Sequence, residues 1–182
     1  PHADEYMNEY VPPCGQRLTW LTGFTGSAGM AIVARKAAAL FVDGRYILQA
    51  PKQVDTGLFE ILQVPAAKAA EWIGKHLKAG AVVGFDPWLH APIGIEDLEK
   101  ELESRRIKLK ALARNPVDRV WGKQRPAPPR GAVVPHPIKY AGKSAEEKLK
   151  DLQAELKKDG QDAVVLTFPD SISLLSPPPP LR

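Results

Sequence analysis

Short apolar runs alternate along this chain with stretches whose apolar residues recur every three or four positions. The runs "GMAIVA" (29–34) and "AAALFV" (37–42) are parted only by Arg35-Lys36. Two short apolar segments with a charged two-residue break predict a β-hairpin. "FEILQV" (59–64) and "AVVGF" (81–85) predict further strands, and "IKLKAL" (107–112) alternates as a half-buried strand does. Between them, Trp72, Ile73 and Leu77 share one helical stripe, and Ile95, Leu98 and Leu102 form the next. A further short helix is read in "PPCGQRLTWLT" (12–22), with Pro12 or Pro13 in its first turn and Gly23 at its end. Strands alternating with amphipathic helices predict an α/β fold, a mixed sheet flanked by helices.

After the short helix "NPVDRVWG" the pattern changes. "KQRPAPPRGAVVPHP" (123–137) has no periodicity and reads as a semi-rigid extended linker. Beyond it the helical signal returns: Ser144 and Glu147 have capping-box spacing, Leu149, Leu152 and Leu156 share a face, and Gly160 follows the helix end. "DAVVLT" then predicts a buried strand. One helix and one strand cannot close a core, so this is the beginning of a second α/β unit. The expected boundaries are a first domain at 1–121, a linker at 122–139 and an incomplete unit at 140–182. The end, "SPPPPLR", favours polyproline II and cannot continue a helix or a central strand.

Composition narrows the classes. With 182 residues, 44% of them hydrophobic, the chain can bury a real core. The one cysteine, Cys14, excludes an internal disulfide framework and points to a reducing, cytoplasmic setting. No apolar run approaches membrane-spanning length, and "PHADEYMNEY" lacks the parts of a signal peptide. The net charge of +4 is interleaved with acids, as in "EDLEKELESRRIKLK", without a basic stripe or stacking aromatics. Neither a membrane nor a nucleic acid is therefore an expected partner.

Candidate chemistry is sparse. "LTGFTGSAGMAIV" spaces Gly23, Gly26 and Gly29 as G-x-x-G-x-x-G, and it precedes a strand. Phosphate-binding glycine loops follow a strand and open a helix, so the expected role is a helix end and a tight turn. His2, His76, His90 and His136 lie far apart and no cysteine pair exists, which leaves no metal-ligand spacing. Asp86 stands before Pro87 as a turn residue, and Ser27 and Ser171 have no base near them in sequence. No residue is expected to be catalytic. Arg45, in "VDGRYILQA", differs: it stands where a helix should begin, Asp43 can cap that helix, and Arg45 then projects from the first helical turn at the strand's carboxyl edge. There a guanidinium suits carboxylate or peptide carbonyl oxygens. On spacing alone, an ion pair within the chain or plain solvation is the favoured reading.

Four blocks in order, "EYVPPCGQRLTWLTGFTGSAGMAIV", "AALFVDGRYILQA", "NPVDRVWGKQRP" and "PHPIKYAGKSAEEKLKDLQ", resemble the amino-terminal region of three-domain Xaa-Pro aminopeptidases. These are the aminopeptidase P type of the creatinase/prolidase group. The resemblance implies a creatinase-type amino-terminal domain followed by the start of a similar one. It places the chemistry in a later domain, where two divalent metal ions, usually manganese, are held by two Asp, one His and two Glu. No such cofactor is expected within these residues. Asp43, Gly44, Arg45 and Tyr46 match a D-G-R-Y motif whose arginine touches substrate, so the resemblance assigns Arg45 to contact with a proline-containing peptide. It also implies a homodimer for the intact enzyme. Alternatives are a free-standing interaction module and the front of a prolidase or amidinohydrolase.

The chain departs from that pattern at three places. It opens where such domains have already run a helix and a strand, so one element of the first sheet is expected to be lacking. Pro51 stands where the family carries a helix-compatible residue, and a helix there should kink or stop early. "FPDSISLL" tracks the family's D-S-I-S-W-L-L-N pattern, then loses the Trp and passes into the proline run.

Overall fold

The computed structural model describes residues 1–132, 134 and 136–175. The polyproline expectation for Ser176–Arg182 lies outside the described residues. Two compact units form: Pro1–Glu5 with Glu9–Pro128, and Tyr6–Asn8 with the residues from Pro129 onward.

The first unit runs, after a 3₁₀ turn at Pro13–Gly15, through α1 (Arg17–Thr22), β1 (Gly29–Val33), β2 (Ala38–Val42), α2 (Ala50–Gln53), β3 (Phe59–Gln63), α3 (Ala69–His76), β4 (Val82–Phe85), α4 (Pro92–Glu103), β5 (Lys108–Ala111) and α5 (Pro116–Trp121). β1 and β2 are antiparallel, pairing Gly29 with Val42 and Val33 with Ala38, so the predicted hairpin turns at Arg35-Lys36. β2 and β3 are parallel, with Ala38 opposite Phe59. β4 and β5 form a separate parallel pair. The fold is mixed α/β, and its strands fall into two ladders rather than one sheet.

β2 explains why "AAALFV" is apolar throughout. It is the central strand of its ladder and both its faces are covered, the arrangement that removes alternation. Leu40 and Val42 face a core with Leu18, Phe24, Ala50, Val54 and Phe59. Ala39 and Phe41 face a second core with Ala70, Trp72, Ile73, Leu102 and Ile107. Ile73 and Leu102 come from the two predicted helical stripes, and burial of each such side chain contributes roughly 1.5–3 kcal/mol. The indole of Trp72 is anchored by donating Nε1–H to Glu60 at 2.9 Å.

Pro51 sits in the first turn of α2, where its missing N–H costs nothing. The helix is only four residues long, so it stops early as expected.

In the second unit α6 (Ile138–Ala141) precedes α7 (Ala145–Lys158) and α8 (Pro169–Leu175). Ser144 Oγ accepts from Glu147 N–H at 3.2 Å, and Glu147 Oε2 accepts from Ser144 N–H at 2.7 Å, completing the capping box. The strand expected at "DAVVLT" does not form: residues 162–167 carry no ladder and Val165 is 86% exposed. An apolar run becomes a strand only when a neighbour takes up its backbone N–H and C=O groups, and the described residues offer none. α7 likewise has no buried residue.

Candidate functional site

Arg45 lies just beyond the carboxyl end of β2. Asp43 caps a 3₁₀ turn, Gly44–Tyr46, by accepting from Arg45 N–H at 2.8 Å. The same carboxylate accepts from Arg45 Nε at 3.0–3.1 Å and from Nη2 at 2.5 Å. The Arg45 guanidinium holds the Asp43 carboxyl below its ordinary range, and Asp43 raises Arg45 above its own. Arg45 is thus a fixed cation. Its side chain is 68% exposed, and none of its described hydrogen bonds uses Nη1. The internal ion pair and the ligand-facing reading are therefore compatible: Asp43 clamps one edge of the fork and leaves the outer edge for another acceptor.

Neighbours steady this arrangement. The Arg45 guanidinium carbon is 5.2 Å from the Tyr46 ring centroid. The Tyr46 hydroxyl shares a 2.8 Å hydrogen bond with Ser27 Oγ, and Ser27 N–H donates to it at 3.3 Å. The Tyr46 ring meets Phe24 edge-on at 5.4 Å. Beside them Gln53 Nε2 donates to Thr25 Oγ1 at 2.9 Å, and Thr25 N–H donates to Gln53 Oε1 at 3.0 Å. Sequence reading missed Tyr46–Ser27 and Thr25–Gln53 because the partners stand 19 and 28 residues apart. Thr25, Ser27 and Tyr46 stand within the two quoted motifs, whereas Gln53 stands in neither.

The three glycines serve packing. Gly23 ends α1 in the left-handed region at φ 79°. A Cβ on Gly26 would fall into the Phe24 ring, and one on Gly29 would meet Leu18 and Phe24 at 3.0 Å. They let the chain press onto Phe24, which is fully buried, and no phosphate cradle results.

Asp86 is the expected turn residue, accepting from Trp88 N–H at 3.0 Å and from Asn115 Nδ2 at 2.8 Å. His76 stacks on Trp72 at 4.2 Å. His90 meets Phe85 edge-on, and burial pushes its pKa down. Cys14 is a buried free thiol. Among the described residues no group of three or more His, Cys, Asp or Glu side chains is placed to hold a metal ion. No described helix is long and apolar enough to cross a membrane.

Residues 12–115 match the creatinase/prolidase N-terminal domain model, and residues 124–176 match a second model of the same description. The chain belongs to the creatinase/prolidase N-terminal domain family. It is 41% identical over 177 residues to a probable Xaa-Pro aminopeptidase P of Aspergillus niger, covering 96% of this chain and 29% of that protein. It is 43% identical over 180 residues to a probable Xaa-Pro aminopeptidase P of Neosartorya fischeri, covering 96% and 27%. The crystal structure of an X-prolyl aminopeptidase from Caenorhabditis elegans, described as a cytosolic enzyme with a di-nuclear active site, superposes with a TM-score of 0.83. The two are 29% identical over 96% of this chain and 29% of that one. The chain spans less than a third of the length of these relatives.

Proposed function

We propose that this chain is the non-catalytic, peptide-positioning front portion of a metal-dependent Xaa-Pro aminopeptidase, which releases the residue preceding proline. The observation that carries the reading is the Asp43-clamped, exposed Arg45 on a chain similar along 96% of its length to such peptidases. The outer edge of the guanidinium takes a carbonyl or carboxylate oxygen of a proline-containing peptide. The described residues do not fit a two-metal centre, so its ligands come from elsewhere in the intact protein. Two divalent ions, manganese by our reading, would there polarise the carbonyl and activate water. A cytoplasmic location and a homodimer complete the proposal. So does the division into 1–121, a linker at 122–139 and an incomplete unit at 140–182. The lack of any buried residue in α7 supports a second unit that needs further chain to close its core.

The test uses the intact enzyme. Arg45→Ala is expected to lower kcat/KM for an Xaa-Pro peptide about 10- to 100-fold, the loss of one charge-assisted hydrogen bond pair. Arg45→Lys should restore little, because a point charge does not replace the fork. The 182-residue chain alone should release no residue with manganese added. Unchanged kinetics in Arg45→Ala, or metal-dependent turnover by the short chain, overturns the reading.

A further inference from the structure

The turn that carries Arg45 winds on into α2, with Tyr46 N–H donating to the Asp43 carbonyl, Gln49 N–H to Tyr46 and Lys52 N–H to Gln49. Gln49 in this run is half-buried, and its side chain is held by one end only. Its Nε2 donates to Thr25 Oγ1 at 3.2 Å and to Gln53 Oε1 at 3.1 Å.

The network fixes which end of each amide meets which neighbour. Thr25 N–H can only donate, so the Gln53 atom 3.0 Å from it is the carbonyl oxygen. That oxygen can only accept, so the Gln49 atom facing it is the nitrogen. Gln49 Oε1 is therefore turned away from the pair, and none of the described hydrogen bonds uses it.

This oxygen belongs to the surroundings of Arg45. The loop before β1 is bonded to the wound segment twice, Ser27 to Tyr46 and Thr25 to Gln49 and Gln53. The Arg45 guanidinium lies over the Tyr46 ring. A wound segment rises about 1.5–2 Å per residue, so Arg45 and Gln49 stand roughly 6–8 Å apart along it. An extended peptide covers that distance in about two residues. The two uncommitted groups are also complementary. Arg45 offers N–H donors and Gln49 an acceptor, and a peptide backbone presents carbonyl oxygens and N–H groups in alternation.

We propose that Gln49 is a second peptide-binding residue, accepting a backbone N–H of the substrate at Oε1 while Arg45 holds a carbonyl oxygen of the same strand. The assignment rests on the peptide-positioning role proposed for Arg45. In an Xaa-Pro peptide the first nitrogen is the terminal amine and the second, proline's, carries no hydrogen. The N–H that Gln49 reads therefore belongs to a residue after the proline. A dipeptide offers none, and a further proline at that position removes it. Gln49 thus favours longer peptides with an ordinary residue there.

The test uses the intact enzyme and the peptide Ala-Pro-Ala-Ala-Ala, with each amide beyond the proline replaced in turn by an ester. That exchange removes one N–H and adds no bulk. In the unaltered enzyme one ester position should lower kcat/KM about three- to tenfold, the share of one hydrogen bond. In Gln49→Met the same ester should cost less than about twofold, because the acceptor is gone. Gln49→Glu keeps an acceptor at the same reach but cannot donate to Thr25, so it should retain the ester loss. Indifference to every ester in the unaltered enzyme overturns the proposal, as does a full ester loss in Gln49→Met. Abolition of the loss in Gln49→Glu overturns it too, since the amide nitrogen would then be the end that matters. Arg45→Ala separates the two readings. If it lowers kcat/KM for the all-amide peptide while the ester loss ignores Gln49, this assignment falls and the role of Arg45 stands. Unchanged kinetics in Arg45→Ala overturn both.

Discussion

Gly23 shows what a single residue decides here. At φ 79°, with the Gln53 carbonyl oxygen 2.7 Å from where a Cβ would stand, only hydrogen fits. Gly23→Ala is expected to lower stability by about 1–2 kcal/mol from the left-handed backbone alone, with the contact to Gln53 adding to it. Urea unfolding of the first unit checks this. A normal midpoint in the variant would mean that α1 ends differently from the arrangement described. The same reasoning marks Gly26 as a packing glycine, since the Phe24 ring stands where its Cβ would be.

At the scale of elements, α7 is held by its first turn, because its apolar stripe buries nothing among the described residues. Backbone donation from Ser144 lowers the pKa of Glu147. A carboxyl depressed in the folded form contributes stability above its unfolded pKa and loses it as pH falls through the folded value. Helix content of this segment by circular dichroism should therefore fall on acidification through the carboxylate range. Glu147→Gln should flatten that dependence while keeping the cap, and Ser144→Ala should cost about 1 kcal/mol at any pH. A pH-independent wild-type signal would mean that the box does not hold the helix.

Across the whole first unit, Arg17 ties the front of the chain to its far end. Its Nε donates to Asp118 at 2.7 Å and its Nη2 to Glu5 at 2.9 Å, while Arg125 reaches Asp118 at 2.8 Å and its Nε donates to the Cys14 carbonyl. Burial by itself would lower the Arg17 pKa, yet the hydrogen bonds it donates to Asp118 and Glu5 outweigh it and raise it. Removing one partner of a buried pair leaves an uncompensated charge. Asp118→Ala is expected to destabilise by about 3 kcal/mol, whereas exposed pairs such as Lys100–Asp97 contribute less than about 1 kcal/mol. Equal unfolding midpoints for D118A and D97A would refute that ranking.

Hydrophobic spacing located the hairpin, β3 to β5 and both amphipathic helices, and the Ser144–Glu147 spacing located the capping box, because each is a local pattern read within one or two turns of chain. The D-G-R-Y stretch likewise announced a capped arginine from four adjacent residues. Tertiary structure decided what spacing cannot carry. It set the partners of Tyr46 and Arg17, which stand 19 and 101 residues away. It denied "DAVVLT" a ladder for want of a neighbour. It also divided the strands into two ladders, since backbone hydrogen bonds form only between strands that packing brings side by side.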